Sequence, residues 1–138
     1  MKIKILASSL LFSLMLLTSC EKRYSVNDLF SMEDCTGPCY QRMGCEGQRI
    51  TVEFKLNGSN ILQNGHMFFV RDEEDMNKTI KVEFDKSIPE DVRAQLINNV
   101  GQTALVTGHI EGYDLLNTQS CRRAHIIYVS NAEDLRFE

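Results

Sequence analysis

The order in which the apolar residues change period constrains this fold more than any other feature of the chain. Ile50, Val52, Phe54 and Leu56 alternate with Thr51, Glu53 and Lys55, and a period of two predicts a half-buried strand with one wet face. Asn57-Gly58-Ser59-Asn60 supplies turn chemistry. His66 to Arg71 reads as a second strand. After the polar connection Asp72 to Asn77, alternation resumes at Ile80, Val82 and Phe84 within a third, Thr79 to Asp85. The spacing then turns helical. Ser87 with Glu90 predicts a capping box, Pro89 falls in the first turn, and Val92, Leu96 and Val100 share one face before Gly101. Thr103 to Tyr113, with Gly108 mid-strand where a tightly curved barrel often needs a glycine, and Ala124 to Ser130 complete the pattern after a loop around Asn117 to Arg123. Three strands, a helix and two strands predict an all-β chain with one helix between strands three and four. Five short antiparallel strands close into a barrel, which removes exposed edges.

The first twenty residues have a different character. Lys2 and Lys4 precede an apolar run from Ile5 to Leu17, too short for a membrane span, and Leu17-Thr18-Ser19 leads straight into Cys20. This resembles a bacterial lipoprotein signal. The resemblance implies cleavage before Cys20, acylation of that thiol, and a lipid-anchored mature protein in the cell envelope. Glu21, where an aspartate would resemble an inner-membrane retention signal, points to the outer membrane, facing the periplasm. The expected organisation is a signal over residues 1–19, a lipidated and Cys-rich segment over 20–48, and a barrel over 49–138. Within the second part Ser25 and Asp28 match a capping pair, with Val26, Leu29 and Phe30 on one face, so a short docked helix and a flexible leash are both open.

An exported chain is an oxidising-compartment chain, and this governs the remaining cysteines. Cys35, Cys39, Cys45 and Cys121 form an even set, which reads as two disulfides. Four cysteines allow three pairings, each with one bond within the Cys35–Cys45 segment and one from that segment to Cys121, and the sequence does not choose among them. The long bond would stabilise by about 4 kcal/mol in the chain-entropy model. Zinc binding by four thiolates and thiol–disulfide exchange are the competing readings. The Cys35-Thr36-Gly37-Pro38-Cys39 spacing lacks the two-residue knuckles and the Cys-x-x-Cys pair that they need.

Gly101-Gln102-Thr103-Ala104-Leu105-Val106-Thr107-Gly108-His109-Ile110 resembles the fourth strand of OB domains, and Ala124 to Leu135, with Asn131-Ala132-Glu133-Asp134-Leu135 after the last strand, resembles how they close. From Arg49 onward the chain is similar to small extracytoplasmic OB-fold proteins, including the tRNA-anticodon-binding-like family found on bacterial lipoproteins. The resemblance implies a binding module, and single-stranded nucleic acid is one ligand it suggests. Charge opposes that ligand. Without the two signal lysines the chain has 13 basic and 19 acidic residues, a net charge of −6, the wrong sign for neutralising phosphates. Strands one and three also offer Thr51, Glu53, Lys55, Lys81 and Glu83 outward, with no ring among them. Tyr113, Arg122, Arg123 and Tyr128 near the last hairpin are the candidate ligand or partner patch. His66, His109 and His125 are scattered, Asp72-Glu73-Glu74-Asp75 lacks calcium-loop spacing, and neither a serine elbow nor a phosphate loop is present. The expectation is a non-catalytic envelope module without cofactor or metal, binding a protein, peptide or saccharide.

Overall fold

The computed structural model describes residues 21–116 and 118–138; the signal segment, Cys20 and Asn117 lie outside them. Eight strands form a single curled sheet: β1 (Arg23–Tyr24), β2 (Arg49–Lys55), β3 (Ile61–Asn64), β4 (Met67–Arg71), β5 (Thr79–Phe84), β6 (Thr103–Leu116), β7 (Cys121–Val129) and β8 (Leu135–Phe137). Their lateral order is β1-β2-β6-β7-β5-β4-β3, with β8 beside β6. All neighbours are antiparallel except β1 on β2 and β5 on β7. Helices α1 (Val26–Ser31) and α2 (Glu90–Asn98) accompany it, burying Val26 and Leu29, and Arg93 and Leu96.

The mostly-β architecture with a helix after the third long strand follows the sequence pattern, but closure does not. β1 and β3 are the edges and do not pair, so the sheet is an open half-barrel. The reason lies in the seam. β1 takes the free side of β2 at Thr51 and Val52, and the end of β2 meets β4 through one residue. The Asn60 amide donates to Lys55 O at 2.6 Å, while its backbone carbonyl accepts from Arg71 N at 2.8 Å.

Register divides every strand into a core side and an outer side. Phe68, Val82, Ile127 and Ile110 stand side by side across β4, β5, β7 and β6, each fully buried. Phe68 meets Phe84 edge to face at 5.6 Å. Each such side chain stabilises by about 1.5–3 kcal/mol through the apolar area it removes from water. β6 can run close beside β7 because residue 108 is glycine; a Cβ there would lie 2.3 Å from Tyr128 O.

Residues 21–48 belong to this core. Ser25 caps α1 reciprocally with Asp28, at 3.0 and 2.8 Å, and Val26 and Leu29 are buried with Cys35, Met43 and Cys45. The choice between leash and docked helix therefore falls to the helix. α2 is shorter than the sequence suggests. Pro89 is its N-cap without a side-chain cap bond, so Ser87 falls two residues short of the capping position, its backbone N–H donated to Asp85 Oδ1. Val100 lies past the last helical residue, where a helical period no longer applies, and it is exposed; Gly101 takes φ 94°.

Candidate functional site

The outer side of the β4–β5–β7–β6 region carries the side chains that the core does not use. Pleating puts Phe69 opposite Phe68, and the register sets Phe69 beside Lys81, Lys81 beside Ile126, and Ile126 beside Glu111. The neighbouring row is Met67, Glu83, Tyr128 and His109. Tyr113 sits opposite Ala124 and reaches across, so that the Lys81 ammonium lies 3.7 Å from its ring centroid and 5.4 Å from that of Phe69. A cation against an aromatic face is attracted by the ring quadrupole. Phe69, Lys81, Tyr113, Ile126 and Tyr128 are all half-buried, so the face is a shallow aromatic and aliphatic platform around one ammonium.

Tyr128 is fixed at its polar end. Its hydroxyl donates to Asp85 Oδ2 at 2.6 Å, and this bond pushes the phenol up to about 12 and the carboxyl down to about 2, the latter with help from the Ser87 N–H. Burial raises the Tyr113 phenol, partly offset by the Arg122 guanidinium. Arg122 borders the platform, donating to Asn77 O at 3.1 Å and lying 5.5 Å from the Phe30 ring.

Of the four residues that the sequence groups as a patch, Tyr113, Arg122 and Tyr128 share this face and Arg123 does not. Arg123 stands on the Gly112 side of the hairpin, within 2.8 Å of Glu46 and 3.2 Å of Asp114. A Cβ on Gly112 would collide with that pair, 2.4 Å from Glu46 Oε1. Burial raises the Glu46 carboxyl, but the Arg123 and Met43 donors outweigh it and leave it below the ordinary range. Asp114 also accepts the backbone N–H of Tyr40, which adopts φ 63° with its side chain exposed. Arg123 is a structural clamp, already saturated by carboxylates.

The other candidates separate. His109 faces outward beside Tyr128, whereas His125 is buried with Nε2 2.7 Å from Cys35 O and its ring edge-to-face with Phe30 at 5.0 Å. They occupy opposite sides of the sheet and do not converge. His66 contacts Arg93 of α2. The four cysteines form two disulfides, Cys35–Cys45 and Cys39–Cys121, with Cα separations of 5.1 and 5.6 Å. Asp72 accepts from the N–H groups of Glu74 and Asp75 and so closes its own turn. Among the described residues no group of three or more His, Cys, Asp or Glu is placed to hold a metal. Cys20, the expected lipidation site, lies outside the described residues.

Alternation places Lys81 outward, but the sequence alone does not bring Phe69 or Ile126 to its side. Met67 to Arg71 is apolar on both sides, so alternation alone cannot say which ring faces out; pairing with β5 decides it. No protein-family model matches this chain, and no curated protein matches it.

Proposed function

We propose that this chain is a lipid-anchored, non-catalytic binding module of the bacterial cell envelope, built on an OB-like sheet, that takes a protein, peptide or saccharide partner on the outer face of β4, β5, β7 and β6. The strand neighbours support the OB-like part. Taking β2, β4, β5, β6 and β7 as strands one to five, first pairs with fourth, fourth with fifth, fifth with third in parallel, and third with second. OB domains use the face of their second and third strands and the loop between the fourth and fifth for ligands. Here that face carries Phe69 and Lys81, and Tyr113 lies on β6 beside it. The Lys81 ammonium against the rings of Phe69 and Tyr113, with Tyr128 in the neighbouring row, carries the reading. Glu83 and Glu111 stand among them, and with a net charge of −6 on the mature chain they oppose a phosphate-rich strand. The lipoprotein-like signal ending in Cys20 supports the anchor, and Glu21 after it supports the outer-membrane, periplasm-facing location.

Phe69→Ala combined with Tyr113→Ala removes half-exposed rings and leaves the core intact. Photo-crosslinking in intact envelopes should then lose the partner band that the parent protein gives, by tenfold or more if the rings contribute about 1–2 kcal/mol each. Unchanged crosslinking with an unchanged melting curve rejects the platform. Salt-resistant binding of a labelled oligonucleotide at physiological ionic strength would replace the partner class.

A further inference from the structure

The amino-terminal segment is fastened to the sheet from Glu21 onward. The Glu21 carboxylate accepts from Thr51 Oγ1 at 2.8 Å, and each of its oxygens lies 2.7 Å from Arg136 Nη2. Thr51 is buried on the outer side of β2, hydrogen-bonded to Thr107 across β6 at 2.7 Å. Arg23 follows with a forked contact to Glu138 at 2.9 and 2.8 Å and a longer one to Glu53 at 3.4 Å, and β1 pairs with Thr51 and Val52. Arg136 and Thr103, which exchanges two backbone hydrogen bonds with Glu138, tie the carboxyl terminus into the same patch. Hydrogen bonds from Arg136 and Thr51 hold the Glu21 carboxyl below its ordinary range, and Arg23 does the same for Glu138.

Glu21, the residue bonded to Cys20, is itself held beside Thr51 and Arg136, and one residue spans only about 3.8 Å of chain. We infer that residues 21–31 are a rigid mount and that the outer surface of β2, β6 and β8 around these residues lies against the lipid surface. This rests on the proposed acylation of Cys20. A lipid on that thiol has no leash to extend, so the bilayer must lie within one residue of the Glu21 clamp. Cations and anions in the patch balance: Arg23 pairs with Glu138 and Glu53, Arg49 with Asp134 and Arg136 with Glu21, and the Lys22 ammonium lies 5.1 Å from the Tyr24 ring centroid. The patch therefore brings no net cationic attraction, and acyl insertion alone would press it to the membrane, without a requirement for anionic headgroups. Leu116, at the far end of β6, is nine residues beyond Thr107, about 30 Å along the strand, so a sheet mounted at its Glu21 end holds Leu116 farther from the bilayer than Gln48.

The chain has no tryptophan, so single tryptophans report depth. Gln48→Trp, exposed beside the clamp, and Leu116→Trp are made in the full lipidated protein and reconstituted in zwitterionic vesicles containing brominated phosphatidylcholine. Quenching at Gln48→Trp should exceed that at Leu116→Trp at least threefold. Ten Gly/Ser residues inserted between Cys20 and Glu21, a coil of about 18 Å, should bring both to the same low value. Equal quenching at the two positions without the insertion, in protein whose mass confirms acylation, overturns the mount and leaves the anchor standing. A mature mass without acyl groups overturns both.

Discussion

His125 is buried, and it is a base whose protonated form has no welcome in its site. Nε2 meets Cys35 O, Phe30 presents its edge, and Nδ1 has no partner among the described residues. Burial is the largest influence and lowers its pKa below the ordinary 6.5; the Cys35 carbonyl and Glu46 push the other way, and Arg122 reinforces the lowering. The unfolded chain binds a proton at about pH 6.5 that the folded chain refuses. Stability is therefore undiminished above that pH and falls as pH drops toward the folded value. The lowered carboxyls of Glu46 and Asp114 act in the same direction, but below the ordinary carboxylate range. Urea denaturation between pH 7 and 5 should show falling stability in the parent protein and a flatter profile in His125→Gln. Equal slopes would place the acid sensitivity elsewhere.

Elements bring out what the sequence could and could not announce. α1 was legible because Ser25 and Asp28 carry both halves of a capping box, a local interaction three residues long. The five longer strands, β2, β4, β5, β6 and β7, were legible as alternating or continuously apolar runs of five or more residues. β1, β3 and β8 have two, four and three residues, too few for any period to emerge, and they exist because neighbours offer them hydrogen bonds. The platform shared that difficulty, since which of Phe68 and Phe69 faces outward is a property of register. The β2–β4 seam was equally hidden, because Asn60 reads in sequence as an ordinary turn residue. In the structure it is buried, accepting from Asn57 N at 3.2 Å and donating to Lys55 O. Asn60→Ala strands both backbone groups at the point where the half-barrel is stitched, and should cost about 2 kcal/mol. Asn60→Asp keeps the acceptor and loses the donor to Lys55 O. Equilibrium unfolding that ranks Asp between the parent and Ala would support the stitch, whereas two neutral variants would show that water replaces it.

At the scale of the whole molecule, the open sheet depends on bonds that bypass it. The Cys-rich segment contributes Cys35, Met43 and Cys45 to the core, and its outer end is joined through Cys39 to Cys121 at the start of β7. An adjacent isolated bridge between Pro38 and Arg122 holds the same place. Sequence could count these cysteines but could not choose among their pairings, because the choice depends on β7 passing the segment in three dimensions. Cys39–Cys121 spans 82 residues of chain, and a crosslink across so long a loop acts mainly on the unfolded ensemble, by about 4 kcal/mol in the chain-entropy model. Both sulfurs lie in half-buried residues, so Cys39→Ser with Cys121→Ser adds little packing loss. The double variant should lose about 4 kcal/mol and unfold with a steeper urea dependence, since the released chain exposes more surface. A loss below about 1 kcal/mol with an unchanged slope would mean that the unfolded chain is already held compact. The docking of residues 21–48 would then stand on α1, the Glu46–Arg123 clamp and the buried Cys35–Cys45 bond alone.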